Sequence, residues 1–223
     1  MTKKLLLQAL IKFFSGLIIV GMLLFLPAGS FKYLNAWLFI GLLFIPMFIA
    51  GIILMFVNPD LLKRRLDAKE KEKEQKGVIL GSGVMFFLGF IIAGLNYRYS
   101  WTSISNTIVI ISSILFLISY IIYGEVLREN AYLSRTIEVQ NDQKVIDTGL
   151  YGIVRHPMYA VTILLFLTMP LILGSVISFI IFLIYPIIIS KRIKNEEAFL
   201  EKNLKGYIEY KKKVKYKIIP YVW

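Results

Sequence analysis

The residues of this chain that could carry out chemistry are concentrated in two short segments near its C-terminal end. One is 155–159 (RHPMY), which holds the only histidine, and the other contains Arg192 and Glu196. Cysteine is absent, which excludes disulfides, thiol nucleophiles and thiolate metal sites. Because one histidine cannot complete a zinc or haem site, any reaction must use that histidine, carboxylates, arginines, tyrosines, amides or an organic cofactor.

Long runs without a charged residue dominate the rest of the sequence. Hydrophobic residues make up 57% of the chain and charged residues 18%, whereas a soluble domain has about 25% charged residues. The uncharged runs are 13–31, 33–59, 77–97, 99–124 and 157–190. Since about 20 apolar residues cross a bilayer as a helix, each of the first four runs predicts one transmembrane helix.

The last run, 157–190, is too long for a single crossing. Pro170 and the pair Gly174-Ser175 lie near its middle, where they favour a tight turn. We therefore interpret this run as a hairpin of two short helices. The sequence then predicts six membrane helices, at about 8–28, 34–57, 78–97, 104–124, 157–171 and 175–190.

The distribution of basic residues predicts that both termini face the cytosol. With the N-terminus inside, the outer connections are 29–33, 98–103 and 172–174, and they contain only Lys32 and Arg98. The other 24 of the 26 basic residues, and all 14 acidic ones, then lie on the cytosolic side. The net charge of +12 predicts contact with anionic lipid head groups rather than with nucleic acid, because the basic residues flank apolar runs.

These patterns predict an all-α integral membrane protein with two regions. Residues 1–125 form an N-terminal region of four membrane helices, with a charged cytosolic linker at 58–77 that is predicted to be a solvated or interfacial helix. Residues 126–223 form a C-terminal region, in which we expect an ordered cytosolic loop, the hairpin at 157–190 and a cytosolic C-terminal helix.

The two chemical segments are predicted to meet at the cytosolic surface of the membrane. Pro157 directly follows His156 at the head of an apolar run, which is typical of the first turn of a helix. The amides at such a helix start favour an anion. If the sixth helix continues into the cytosol, Arg192 and Glu196 lie beside this start, so a polar cavity is expected there, with Tyr159 on the same face as His156.

From Val139 to Trp223 the sequence resembles the isoprenylcysteine carboxyl methyltransferase family and its relatives among phospholipid methyltransferases. Family members normally have proline before the motif tyrosine, where this chain has Leu150, and the first 120 residues match only in hydropathy. The residues that carry the resemblance are Gln140, Thr148-Gly149-x-Tyr151, Arg155-His156-Pro157-x-Tyr159, Arg192, Glu196-Glu197, Gly206-Tyr207-x-x-Tyr210 and Pro220.

The resemblance implies an integral membrane methyltransferase that uses S-adenosylmethionine and no metal. The family position for the substrate carboxylate corresponds to Arg192, and Arg192 and Glu196 are the expected catalytic residues. The positions that hold the cofactor correspond to Gln140, Gln143, Lys144, Val145, Ile146, Tyr151, Arg155, His156, Pro157, Tyr159, Glu196 and Glu197.

The resemblance further implies a lipophilic or lipidated acceptor that enters from the bilayer, with a carboxylate as the favoured nucleophile. A lipid amine is the alternative acceptor, and it would need a base to remove its proton. The related sterol reductases use a nicotinamide cofactor, but the pair Glu196-Glu197 argues against that activity. A transporter is disfavoured because the predicted spans contain no ionisable residue except Lys12 near one end.

We predict that an impermeant thiol reagent added to intact cells will not label a Lys205→Cys variant. The native chain has no cysteine, so the introduced thiol is the only target. A Ser103→Cys variant, in a predicted outer connection, is the matched positive control. Labelling at position 205 without prior permeabilisation would refute the proposed orientation.

Overall fold

The computed structural model describes residues 3–67, 73–134 and 136–223. Within these ranges the chain forms α-helices, one short 3-10 helix and no strand. The elements are α1 (Lys3–Ala28), α2 (Leu34–Val57), α3 (Pro59–Leu66), α4 (Lys73–Tyr99), α5 (Asn106–Glu129), the 3-10 helix (Gly149–Gly152), α6 (Pro157–Ile172), α7 (Val176–Phe182), α8 (Ile184–Asn203) and α9 (Tyr207–Lys213).

The prediction of an all-α membrane protein with about six crossings is confirmed. Among the described residues, five helical segments are long and apolar enough to span a bilayer: α1, α2, α4, α5 and the combined run of α7 and α8. The sixth, α6, is apolar but shorter. Part of the linker predicted to be helical is helical, as α3 and the start of α4, while 68–72 lie outside the described residues.

The predicted hairpin is present, and its turn is formed by the expected residues. Helix α6 ends at Ile172, and Gly174 takes a φ of +77° that glycine adopts without strain. Ser175 then caps α7 by accepting a hydrogen bond from the amide of Ser178 at 3.1 Å. With 16 residues, α6 extends about 24 Å, less than the ~30 Å of hydrocarbon in a typical bilayer.

The second arm of the hairpin continues past its apolar part, so that Arg192 and Glu196 are helical. It is interrupted at Leu183, between α7 and α8. Pro186 accounts for the interruption, because it has no amide hydrogen and its ring would collide with the carbonyl of Phe182. Helix α8 then continues to Asn203 and contains both Arg192 and Glu196.

Hydrogen bonds at one end of the bundle show how the helices alternate in direction. The hydroxyl of Tyr33, at the α1–α2 connection, donates to the carbonyl of Leu173 at 2.5 Å. The side-chain amide of Asn96, near the end of α4, donates to the carbonyl of Gly174 at 3.4 Å. The three connections that precede α2, α5 and α7 therefore lie together, and the loops that carry the chemical residues lie at the opposite end.

Helices α1 and α4 approach each other closely at Gly94. A Cβ atom at this position would lie 2.5 Å from the carbonyl oxygen of Leu24 and 3.2 Å from the amide of Ala28. Both contacts are with backbone, which cannot rotate away. Small residues at such crossings allow membrane helices to pack closely.

We predict that Gly94→Ala destabilises the protein by about 1–3 kcal/mol, the usual cost of overpacking. Gly83→Ala on the same helix is the control, because a Cβ atom there meets nothing within 4 Å. Unfolding in detergent should distinguish the two variants, and equal stabilities would contradict the close approach of α1 and α4.

Candidate functional site

A cleft lies between the loop that follows α5, the start of α6 and the end of α8. Ten of the residues expected at the site line it: Gln143, Lys144, Val145, Ile146, Tyr151, Arg155, His156, Tyr159, Arg192 and Glu196. The structure therefore brings the two chemical segments together, as their positions in the sequence predicted.

Three expected cofactor residues are not among those that line the cleft. Gln140 lies in the loop, where its side-chain amide donates to the carbonyl of Tyr132 at 2.8 Å. Pro157 is the buried first residue of α6, and Glu197 is buried beside the cleft. Their positions suit them to hold the cleft in shape, and their predicted contact with the cofactor stays a prediction.

Other residues line the cleft without having been expected there, and most carried no recognisable signal in the sequence. Tyr207 and Tyr210 were visible only as part of the C-terminal motif, and their spacing of three places both on one face of α9. The remaining ones are Asn130, Tyr132, Leu133, Ser134, Thr136, Ile137, Glu138, Met158, Leu200 and Leu204.

The glycine of the Thr-Gly-x-Tyr motif has a positive φ and lies against a carboxylate from α5. Glu129 accepts hydrogen bonds from the amide of Leu150 at 2.9 and 3.1 Å, and so caps the start of the 3-10 helix. A Cβ atom on Gly149 would lie 1.7 Å from that carboxylate, and the φ of Gly149 is +53°. This contact fixes the turn that carries Tyr151 to the cleft.

Arg155 and Glu197 form an ion pair that is buried from solvent, with both side chains 5% exposed. The Nε of Arg155 donates to Oε1 of Glu197 at 2.7 Å. Its Nη1 donates to the carbonyls of Val214 and Lys215, each at 2.7 Å. One guanidinium thus joins the start of α6, helix α8 and the segment after α9.

His156 and two lysines also surround the carboxylate of Glu197. The Nε2 of His156 lies 3.1 Å from Oε1, while the ammonium groups of Lys211 and Lys217 lie 3.6 and 3.9 Å from Oε2. This carboxylate offsets much of the positive charge beside the cleft, since a buried charge is costly unless it is paired.

The hydroxyl of Tyr159 links the two residues expected to be catalytic. It accepts a hydrogen bond from Nε of Arg192 at 2.8 Å and donates to Oε2 of Glu196 at 2.5 Å. Tyr159 is buried, and its ring stacks on that of His156 with 5.7 Å between centroids. A cation, a phenol and a carboxylate therefore act as one connected group at the wall of the cleft.

The start of α6 offers fewer free amides than the sequence led us to expect. The backbone amides of Arg155 and His156 donate to the carbonyls of Tyr216 and Lys217, at 2.9 and 2.8 Å. Pro157 has no amide hydrogen at all. The C-terminal segment occupies these donors, so an anion in the cleft would have to be bound mainly by side chains.

Tyr207 places an unpaired hydroxyl in the wall of the cleft. The side chain is buried, and this hydroxyl has no hydrogen-bond partner among the described residues. Burial raises the pKa of Tyr207 well above its usual range, so the phenol stays neutral. Since buried polar groups are normally hydrogen-bonded, this buried hydroxyl departs from the usual pattern.

A comparison with protein families finds one match, to the isoprenylcysteine carboxyl methyltransferase (ICMT) family, over residues 107–202. The matched part begins in α5 and ends in α8, so it contains the loop, Tyr159, Arg192 and Glu196. No curated protein matches the chain.

We predict that Glu197→Ala destabilises the protein by about 3–5 kcal/mol, because the variant leaves Arg155 buried without its counter-charge. Glu201→Ala is a matched control. Glu201 pairs with the same Lys211 at 2.5 Å, but this pair is exposed and should contribute at most about 1 kcal/mol. Chemical unfolding in detergent measures both, and equal losses would rule out the special role of the buried carboxylate.

Proposed function

We propose that the protein methylates the carboxylate of a lipophilic acceptor with S-adenosylmethionine, because residues 107–202 match the isoprenylcysteine carboxyl methyltransferase family. This match and the long apolar helices support a multi-pass membrane methyltransferase. The finer proposal rests above all on the Arg192–Tyr159–Glu196 group, which lies where the apolar hairpin meets the polar loop.

Several side chains of the cleft have a chemistry that suits S-adenosylmethionine. Glu196 would bind the amino group, and His156 the carboxylate, of the amino-acid part. The adenine would lie against the backbone of 144–146 and the ring of Tyr151. All four residues line the cleft, and the aromatic ring is buried.

Arg192 would hold the acceptor. A guanidinium presents parallel donors that match the two oxygens of a carboxylate. The bound cofactor supplies a methyl group on a sulfonium, which is a good leaving group, so a carboxylate acceptor needs no general base. The protein must instead align the reacting atoms at near-attack distance. Arg192 and Glu196 would do this, and the hydroxyl of Tyr159 links their positions.

We propose further that both termini lie in the cytosol and that lysines at this end contact anionic lipid heads. The clustering of the connections before α2, α5 and α7 at one end of the bundle supports an even number of crossings. Basic residues are rare in those connections, which favours placing that end outside. A lipophilic acceptor could then reach Arg192 along the apolar hairpin without leaving the bilayer.

Isothermal titration of S-adenosylhomocysteine into the detergent-purified protein tests the cofactor proposal. We expect saturable binding, weakened by about 1–3 kcal/mol in Glu196→Gln, because that change removes a charged hydrogen-bond acceptor. Arg192→Ala should bind within about threefold of the parent, because Tyr159 can still donate to Glu196, yet it should lose turnover. Arg192→Lys should not restore turnover, since it lacks the two-donor fork.

Transfer of a labelled methyl group to an S-farnesylated cysteine with a free carboxylate measures this turnover. The same acceptor with its carboxylate already esterified is the negative control. Arg128→Ala is the control variant, because this exposed arginine pairs with Glu125 on the surface of α5. Absence of S-adenosylhomocysteine binding would contradict the proposed cofactor. Methylation of an aminophospholipid in place of the prenylated acid would contradict the proposal that the acceptor is a carboxylate.

A further inference from the structure

The N-terminal region contacts the loop of the candidate site through α3. Asn58 caps this helix by accepting a hydrogen bond from the amide of Leu61 at 3.0 Å. Leu61 and Leu62 are buried, and Leu62 packs in a small cluster with Leu5 and Met55. Helix α3 is thus anchored on the ends of α1 and α2, which gives its last turn a fixed position.

Arg65, in that last turn, contacts three other parts of the protein. Its Nη1 donates to the carbonyl of Ser134 at 3.2 Å and lies 3.8 Å from Sδ of Met158. Its Nη2 donates to the hydroxyl of Tyr123, above whose ring the guanidinium lies at 5.6 Å. The neighbouring Arg64 donates to the carbonyl of Ala131 at 2.5 Å.

Arg64 and Arg65 bind a segment of the loop that forms part of the cleft wall. Ser134 and Met158 both line it, and residues 130–148 have no regular helix or strand among those described. Backbone without a regular ladder of hydrogen bonds depends on side chains for its position. Two carbonyls of this segment, at 131 and 134, are bound by α3, and a third, at 132, is bound by Gln140.

We propose that Arg65 is a positioning residue for the cofactor side of the site, and that α3 is the support from which it acts. The guanidinium holds the carbonyl of Ser134 against α5 and the first turn of α6, and so keeps the loop in the conformation that forms the cleft. The shape of the loop follows from the structure alone, whereas its consequence for ligand binding rests on the proposed function.

Hydrogen exchange of the unliganded protein tests the positioning directly. In Arg65→Ala the amides of 130–146 should exchange about tenfold faster, the effect expected from losing hydrogen bonds to a charged group. Lys63→Ala is the matched control, because Lys63 has an exposed side chain on the same turn and should leave exchange unchanged. Unchanged exchange of the loop in Arg65→Ala would overturn the proposal whatever the protein binds.

Ligand binding and kinetics test the consequence. Arg65→Ala should weaken S-adenosylhomocysteine about tenfold and raise the KM for the methyl donor, with kcat at saturating donor within about twofold of the parent. Arg65→Lys should not restore binding, since one ammonium cannot span the same acceptors. Tyr123→Phe, which keeps the ring and removes one acceptor, should show a smaller loss in the same direction.

The alternative outcomes are distinguishable. A lower kcat with unchanged KM and affinity would mean that the substitution only reduces the folded fraction, and would overturn the positioning role. A parent protein that fails to bind S-adenosylhomocysteine, but whose loop still exchanges faster in Arg65→Ala, would reject the proposed cofactor while upholding the role of Arg65 in shaping the loop.

Discussion

The carboxylate of Glu197 is the point at which the separate parts of the C-terminal region are joined. It accepts a hydrogen bond from Arg155, which in turn binds two carbonyls of the segment after α9. Two buried charges stabilise a fold only when their geometry and remaining hydrogen bonds are satisfied, and here the guanidinium and the carboxylate each have several partners. The pair therefore specifies one relative placement of α6, α8 and the C-terminal segment.

That placement is what puts Tyr159 between Arg192 and Glu196. Tyr159 lies in the first turn of α6, four residues after Arg155, which precedes that helix, and Glu196 is adjacent to Glu197 on α8. A shift of one helix along the other would separate the phenol from one of its partners. The buried pair and the hydrogen-bonded group in the cleft are thus two consequences of the same contact between helices, and the proposed chemistry rests on the second.

The opposite end of α6 is held by the N-terminal helices. Tyr33 and Asn35 donate to the carbonyls of Leu173 and Ile172 at 2.5 and 2.9 Å, which would otherwise lack partners at a helix end in an apolar surrounding. A short helix fixed at both ends cannot slide along the bilayer normal. The N-terminal region, which has no chemical motif of its own, contributes to the site by setting the depth of α6 and by presenting α3 to the loop.

Sequence by itself was sufficient for the membrane architecture, because each crossing requires a long uncharged run and each connection collects the charges. It also predicted His156, Tyr159, Arg192 and Glu196 as candidate site residues, since histidine occurs once and their motif resembles that of a known family, and the structure places all four at one cleft. The break in the second arm of the hairpin was not expected, although Pro186 was visible, because a proline within an apolar run does not say whether the helix bends or stops.

Only the tertiary structure decided which polar residues face the cleft and which support it. Arg155 and Glu197 have the same kinds of side chain as Arg192 and Glu196, and no local pattern separates the two pairs. Burial and the nearby carbonyls of 214 and 215 give the first pair a structural role, and of the two only Arg155 also lines the cleft among the described residues. The role of Arg65 likewise depends on contacts nearly 60 and 70 residues away, with Tyr123 and Ser134, and such long-range contacts leave no periodicity or spacing in the sequence.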